Sequence, residues 1–304
     1  MKQLLFGLDI GGTSTHGIRA ERGEAGWVVT DQFQGPSANV QNVSHAAAQQ
    51  SLLTVATRLG FDTTSPGHLR VVAGAGGMDT PADADALRAM ITRAVPAAGV
   101  TGSEITVVHD TRLILAAGGQ DTGVAVIAGT GSVAWGRAAD GREARSGGWG
   151  HLLGDEGSSW WIAREAVRRA LRRQDAQDPV DELDRAVLQA RNVQTRDQLI
   201  ADFHGHPERT DWAALAQVVD RCATGGHTDS SDLLVRATRH LVAAARTVAD
   251  QLDLPGPVVV GGGLIAHSHH IHTAFVEQAT AAGLEEVMVL GVDPVMGVLH
   301  LAAD

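Results

Sequence analysis

The sequence predicts an α/β protein with two similar domains, each built on a mixed sheet that is flanked by helices. Two apolar runs break into short turns of glycine, threonine and serine and then resume as strands, at residues 9–14 and 129–132. Residues 3–117 follow the order β-β-β-α-β-α-β-α, which is typical of an α/β sheet with an antiparallel edge. Since two strand-turn-strand openings occur in one chain, we expect a duplicated domain.

The first half of the chain contains five predicted strands and three predicted helices. Apolar patterning predicts strands over residues 3–9, 15–21, 27–33, 68–73 and 105–108. The predicted helices cover residues 42–59, 82–94 and 111–117. Gly60 is expected to end the first helix as its C-cap. His109 and Asp110 follow the carboxyl end of the fifth strand, where α/β folds usually place their catalytic and ligand-binding side chains.

The second half repeats this pattern less cleanly. A hairpin over residues 124–136 is followed by a glycine-dense loop over 146–158 and a helix over 159–173. Several helical segments fill residues 172–228. The remaining predicted elements are a long helix over 231–252, a strand and glycine turn over 258–265, a short strand over 286–290 and a last helix from Pro294.

The two glycine turns have the chemistry of phosphate-binding turns. Their backbone N–H groups and their Ser and Thr hydroxyls suit a phosphate better than a carboxylate, which an Arg fork usually binds. Neither turn is a P-loop, because the chain has no Gly-Lys-Ser/Thr and a strand rather than a helix follows each turn. The two turns together predict a polyphosphate that is held from both sides. Glycine-rich hairpin turns with no ligand are the alternative.

Composition excludes several classes of protein. The net charge is −11 and no run of Lys and Arg alternates with aromatic residues, which argues against nucleic acid as a partner. Cys222 is the sole cysteine, so disulfides, cysteine-ligated zinc and an iron–sulfur cluster within the chain are excluded. The first apolar stretch meets Asp9 too early for a signal-peptide core or a membrane span. We therefore expect a cytoplasmic protein with no membrane partner.

The motifs occur in the order of a known superfamily. Residues 9–14, Asp110, residues 129–132 and residues 261–263 resemble the phosphate-1, connector, phosphate-2 and adenosine elements of the actin-like ATPase superfamily, which includes sugar kinases. The loop over residues 147–158 resembles that of the N-acetylglucosamine kinase branch of the BadF/BadG/BcrA/BcrD-type family. The resemblance extends over residues 8–298.

The resemblance implies an ATP-dependent, magnesium-requiring kinase with two actin-like (ribonuclease H-like) domains and an active site in the cleft between them. The implied first domain covers residues 1–117 together with the terminal helix at 294–304, and the second covers residues 118–293. The implied substrate is a small amino sugar, chiefly N-acetylglucosamine phosphorylated at its 6-hydroxyl. Alternatives are a glucosamine or N-acetylmuramic acid kinase and a non-catalytic, nucleotide-binding regulator of the same fold. A homodimer is compatible with the sequence.

The resemblance also implies roles for individual residues. Asp110 would accept the proton of the sugar hydroxyl, and Asp9 would help to hold the magnesium. The residues implied to bind the sugar are Asn39, Asp110, Ser132, Gly148, Trp149, Gly150 and Asp155. The residues implied to contact ATP are Gly11, Gly12, Thr13, Ser14, Thr130, Gly131, Ala223, Gly262 and Gly263. His227 stands where the family has Asp, so the adenine contacts around Ala223 stay open.

Three of these assignments have simpler alternatives. Asp110 precedes a helix and could be its N-cap, since Asp is among the best N-cap residues. Asp155 and Glu156 could be solvated acids of a surface loop. The histidine-rich run over residues 267–272 could bind a metal, although a solvated helix face is the more common role of such a run.

Overall fold

Two five-stranded mixed sheets form the framework of the protein, and this confirms the predicted α/β class. The computed structural model describes residues 2–61, 67–78, 80–95, 104–205 and 209–303. The chain divides into an N-terminal unit, Met1–Asp121 with Val292–Asp304, and a C-terminal unit, Thr122–Gly291. No helix in the described part of the chain is both long and apolar enough to cross a membrane.

The sheet of the N-terminal unit has the order β3-β2-β1-β4-β5. Its strands are β1 (Lys2–Ile10), β2 (Ser14–Gly23), β3 (Gly26–Pro36), β4 (Gly67–Ala75) and β5 (Ile105–His109). The first three strands are antiparallel, and β4 and β5 run parallel to β1. The helices are α1 (His45–Arg58), α2 (Pro81–Ala94), α3 (Asp110–Ala117) and α12 (Gly297–Leu301), the last preceded by a 3₁₀ turn at Pro294–Met296.

The sheet of the C-terminal unit has the order β10-β9-β6-β7-β8 and repeats the same plan of three antiparallel strands and two parallel ones. Its strands are β6 (Gly123–Ala128), β7 (Ser132–Arg137), β8 (Glu143–Gly147), β9 (Val258–Gly261) and β10 (Val287–Val289). Its helices are α4 (Ser159–Asp175), α5 (Glu182–Ala190), α6 (Gln198–Gly205), α7 (Arg209–Ala213), α8 (Leu215–Thr224), α9 (Thr228–Leu252), α10 (Gly263–His267) and α11 (His269–Ala281).

The central strand β1 is buried on both of its faces. Phe6 points into the core beneath α1 and α2, where its ring stacks on Phe61 with centroids 4.5 Å apart. Leu5 points to the opposite face, into the core that α3 and α12 cover. Successive side chains of a strand alternate between faces, so a strand with helices on both sides reads as a continuous apolar run.

Strand β8 is absent from the prediction, which has a hairpin over residues 124–136 and then a glycine-dense loop over residues 146–158. Its sequence is Glu-Ala-Arg-Ser-Gly, which is polar and has little β propensity. The strand forms because it pairs along its length with β7, from Glu143 opposite Arg137 to Gly147 opposite Val133. Pairing with a neighbouring strand outweighs local propensity here.

Candidate active site

The carboxyl ends of the parallel strands bring two predicted site residues to one edge of the first sheet. Asp9 pairs in register with Gly74 of β4, and Ala75 of β4 pairs with His109 of β5. Asp110 follows directly as the first residue of α3. Parallel strands end at a common edge, so residues that are distant in the chain meet there.

Asp110 is held in place by its own neighbours. Its Oδ1 accepts a hydrogen bond from the Thr111 N–H at 2.8 Å and lies 2.8 Å from Nδ1 of His109. The N-cap of α3 is His109, whose side chain also accepts from Thr111, so the interpretation of Asp110 as the N-cap is wrong. Among the described residues, Oδ2 of Asp110 has no hydrogen-bond donor.

Asn39 and Gly76 stand beside Asp110. The buried Asn39 amide donates to the Gly76 carbonyl at 3.2 Å and accepts from the Gln41 N–H at 2.9 Å. A Cβ atom at Gly76 would lie 2.8 Å from Oδ2 of Asp110 and 3.4 Å from the Asn39 amide nitrogen. A glycine at this position therefore lets the chain after β4 lie this close to Asp110 without displacing its carboxylate.

The carboxylates of Asp9, Asp110 and Asp293 lie close enough at this edge to influence the pKa of Asp9. Burial is the main cause that raises the pKa of Asp9 to about 7, and the charges of Asp110 and Asp293 add to it. His16 opposes this shift in the Asp9 pKa. Burial is the largest influence on the pKa of Asp293 and opposes its ionisation. Its hydrogen bond with His16 (2.8 Å between Oδ2 and Nδ1), the Val295 N–H and the charge of His16 together outweigh burial and lower the Asp293 pKa. The same bond raises the pKa of His16.

The turn after β1 presents backbone donors. The Gly11 N–H closes the turn on the Ser14 carbonyl at 3.0 Å. The Ser37 hydroxyl donates to the Gly11 carbonyl, and the Asn42 amide donates to the Gly12 carbonyl. These two bonds fix the conformation of the turn. Gly12 and Thr13 are exposed, and within the described ranges their N–H groups have no acceptor.

The turn after β6 has the same design. The Gly129 N–H donates to the Gly131 carbonyl at 3.1 Å, while the first N–H groups of α4 donate to the carbonyls of Gly129 and Thr130. In the part of the chain that the structure describes, the N–H groups of Thr130 and Gly131 have no acceptor. Two turns with paired carbonyls and unpaired N–H groups are suited to anions.

Asp155 packs against the second turn. It is 4% exposed, which overturns the interpretation of this residue as a solvated acid. Its Oδ1 accepts from the Ser132 N–H at 3.4 Å, and its Oδ2 lies 3.3 Å from the Arg209 guanidinium. Burial is the main cause that raises its pKa, although Ser132 and Arg209 act against burial. Its φ of 57° lies in the left-handed region, which is unusual for a residue other than glycine.

The loop at Gly148, Trp149 and Gly150 is held by an arginine. Arg145 donates from Nε to the Gly147 carbonyl at 3.2 Å and from its terminal nitrogen to the Gly148 carbonyl at 2.5 Å. Its guanidinium carbon also lies 5.3 Å from the ring centre of Trp149. The loop exposes apolar side chains, since Trp149 is 66% exposed.

The residues predicted to contact adenosine lie at the start of α10 and near the end of α8. Gly262 has a φ of 112°, and a Cβ there would lie 2.6 Å from the Ala128 carbonyl oxygen. Packing of the chain on itself therefore requires this glycine. Gly263 opens α10 and has open space at its Cβ position, with the nearest atom at 4.0 Å. Ala223 is buried near the end of α8.

The histidine-rich run spans α10 and the start of α11. Ser268 caps α11, and the side chains of Ser268 and His270 both bond to Asp220. Within the described ranges, no three His, Cys, Asp or Glu side chains come together in a way that could hold a metal ion.

The prediction missed several residues that lie beside the predicted site residues. They are His16, Gly76, Arg145, Arg209 and Asp293. Asp293 carries a local signal, because an Asp directly before Pro294 is a typical start of a helical turn. The other four lie in segments with no motif of their own.

Comparison with known proteins relates the chain to one family. The sequence model of the BadF/BadG/BcrA/BcrD ATPase family matches residues 6–300. The N-acetylmuramic acid/N-acetylglucosamine kinase of Clostridium acetobutylicum is 29% identical over 279 residues, which cover 89% of this chain and 88% of that protein. The N-acetyl-D-glucosamine kinase of Dictyostelium discoideum is 26% identical over 284 residues, which cover 87% and 86%.

A solved structure shares the whole fold. A provisionally named N-acetylglucosamine kinase from Chromobacterium violaceum superimposes with a TM-score of 0.76 at 22% identity. The superposition covers 98% of each chain. The likeness therefore extends through both units.

Proposed function

The chain belongs to the BadF/BadG/BcrA/BcrD ATPase family, and from that premise we propose that it is an ATP-dependent kinase of N-acetylglucosamine. The γ-phosphoryl group of ATP would pass to the 6-hydroxyl of the sugar. The observation that carries the proposal is the arrangement of Asp110, Asn39 and Asp9 at the carboxyl edge of the first sheet. The names of two relatives support the substrate.

Asp110 is the proposed base. Phosphoryl transfer to an alcohol needs a carboxylate within hydrogen-bond reach of the attacking hydroxyl. Because the Thr111 N–H donates to Oδ1, the oxygen left for the sugar hydroxyl is Oδ2. Asn39 lies on the same side of Gly76 and is proposed to hold a second sugar hydroxyl through its amide.

Asp9 is the proposed magnesium ligand. Magnesium prefers oxygen ligands and is usually held by one or two carboxylates, substrate phosphates and waters, so it needs no complete protein cage. Asp9, Asp110 and Asp293 concentrate negative charge at one edge, and a hard cation would relieve it. When bound, the metal neutralises charge on the transferred phosphates.

The two glycine turns are proposed to bind the phosphates of ATP. Their unpaired N–H groups, at Gly12, Thr13, Thr130 and Gly131, point to anion binding without a lysine. Such backbone donors are held by the fold before the ligand arrives, so little reorganisation is needed during the reaction.

Asp155 and the loop that Arg145 holds are proposed to bind the sugar. Asp155 combines burial, a left-handed backbone and a raised pKa, a combination that is typical of functional sites. Arg145 fixes the carbonyls of Gly147 and Gly148 and stacks on Trp149, so it orients the loop without being a catalytic residue.

A panel of sugars tests the substrate. With ATP and magnesium, we expect a higher kcat/KM for N-acetylglucosamine than for glucosamine, glucose or N-acetylmuramic acid in a coupled assay. A free glucosamine is mostly an ammonium, whereas an acetamido group suits the backbone and the apolar loop around Trp149. Discrimination by apolar contact alone is only about 1–3 kcal/mol, so measurable turnover of the other sugars is compatible with the proposal.

The outcomes of the panel separate the alternatives. Faster turnover of glucosamine would refute the N-acetyl preference and leave the kinase in place. Faster turnover of N-acetylmuramic acid would favour the second substrate in the name of the Clostridium relative. No turnover of any sugar would favour the non-catalytic regulator.

Gly76→Ala tests the approach of β4 to Asp110. The new Cβ would lie 2.8 Å from Oδ2 of Asp110, so the carboxylate must turn away from its working position. We expect kcat/KM to fall by about 10²-fold, since a misplacement of about 1 Å can cost that much. Gly205→Ala is the matched control, because no atom of the described residues lies within 4 Å of its Cβ position. Equal activity of both variants would contradict the role given to Asp110.

A further inference from the structure

The N-terminal unit has a pocket at the opposite end of β1 from the glycine turn. The pocket has a volume of about 290 Å³. Its lining includes Gln3, Arg22, Trp27, His68, Arg70 and Ala302. At about 3.3 Å per residue, the nine residues of β1 separate the pocket from the glycine turn by roughly 25–30 Å. The pocket is therefore distinct from the proposed kinase site.

Strand register builds this pocket on one face of the sheet. Gln3 pairs with His68, and Leu5 pairs with Arg70 two residues further along both strands. Arg22 lies two residues beyond the β2 partner of Leu5. Side chains two residues apart point to the same face, so Arg22 and Arg70 project from the face that α12 covers. The pocket lies where the chain passes the end of α12.

The cationic side chains of the pocket are already positioned. Arg70 donates to the Ala302 carbonyl at 3.1 Å, and the Trp27 indole donates to the same oxygen at 2.9 Å. The Arg22 guanidinium carbon lies 5.4 Å from the centre of the Trp27 ring, at cation–π distance. Since each guanidinium has five N–H donors, these contacts leave most of the donors available.

Among the residues that the structure describes, Arg22 and Arg70 form no ion pair with a carboxylate. His68 lies 3.0 Å from Glu104, so that carboxylate is engaged by the imidazole. In a chain of net charge −11, two such guanidiniums in one pocket form a local basic site.

We propose that this pocket, the Arg22–Arg70 pocket, binds a small organic phosphate monoester. Guanidinium forks match the geometry of phosphate oxygens, and a monoester carries about −1.5 to −2 charge, which two guanidiniums balance better than they would a single carboxylate. The volume is at the small end of ligand pockets, which span roughly 300–1,000 Å³, and it suits a sugar-sized group rather than a dinucleotide. The Trp27 ring offers an apolar wall to the carbon skeleton.

Fluorine NMR of the protein labelled with 5-fluorotryptophan tests this site directly. The chain has six Trp residues, and Trp27→Phe assigns the Trp27 signal. Glucose 6-phosphate, added without ATP or magnesium at constant ionic strength, is expected to shift the Trp27 signal with a saturating dependence. Glucose is expected to leave it unchanged. Titration with inorganic phosphate separates recognition of the phosphate alone from recognition of the whole monoester.

Substitutions of Arg22 and Arg70 test whether their guanidinium groups cause the shift of the Trp27 signal. Arg22→Gln/Arg70→Gln is expected to weaken the saturable shift by at least about tenfold, because it removes charge-assisted hydrogen bonds. Arg58→Gln is the matched control, since Arg58 stacks on Phe33 at 5.1 Å in the same unit and is expected to leave binding unchanged. Arg22→Gln alone serves if the double variant does not fold, because in the described structure Arg22 contacts only the Trp27 ring among charged and aromatic partners.

Three results would overturn the proposal. The first is no saturable shift of Trp27 with glucose 6-phosphate. The second is an equal shift in the folded double variant. The third is a shift confined to the Trp149 signal, which would indicate binding at the loop of the C-terminal unit.

Discussion

Asp110→Asn is expected to lower kcat by roughly 10²–10⁴, the usual cost of removing a general base. Asparagine has the same shape and its Oδ1 can still accept from the Thr111 N–H, so helix α3 is expected to begin as before. The amide cannot accept the proton of the sugar hydroxyl. Binding of the sugar, measured by calorimetry with a non-hydrolysable ATP analogue, is expected to stay within a few-fold of the original.

The control for this variant is Asp121→Asn in the same unit. Asp121 has a side chain that is 77% exposed and pairs with His300 at 3.0 Å, so its neutralisation removes one carboxylate without touching the strand edge. We expect normal kcat for Asp121→Asn and an unchanged melting temperature for both variants. A loss of less than tenfold for Asp110→Asn would show that Asp110 is not the base.

Asp155→Asn is expected to lower kcat/KM for the sugar by roughly 10–100-fold, mainly through KM. A hydrogen bond to a charged group contributes about 1.5–3 kcal/mol, and each 1.4 kcal/mol corresponds to a factor of ten. Asparagine tolerates the left-handed backbone at this position, where φ is 57°, so the loop should keep its conformation. KM for ATP is expected to change little.

Two further variants separate charge from backbone conformation. Asp155→Ala should lose sugar binding as well, and it should also lower the melting temperature, because a left-handed alanine costs about 1–2 kcal/mol. Asp253→Asn is the matched control, since Asp253 has a φ of 52° at the end of α9 and a side chain that is 88% exposed. An unchanged sugar KM in Asp155→Asn would contradict the assignment of Asp155 to the sugar.

Sequence reasoning finds the features that depend on a short stretch of residues, such as hydrophobic periodicity and glycine turns. The periods of two and of about 3.6 residues, interrupted by glycine turns, are enough to find the strands that carry Asp9 and precede Asp110. Strand β8, which the prediction missed, has no apolar alternation to find. Its residues pair with β7 because the preceding turn brings them alongside it.

The α/β class, the two glycine turns and the location of Asp110 at the end of a strand follow from the sequence, because each depends on residues close together in the chain. Which charges face one another depends on the folded structure. Asp293 meets His16 across 277 positions, and Arg209 meets Asp155 across 54. The requirement for Gly262, set by its contact with Ala128, also depends on the folded structure. Such pairs leave no periodic trace, because a side chain's distant partners depend on how the strands and helices pack.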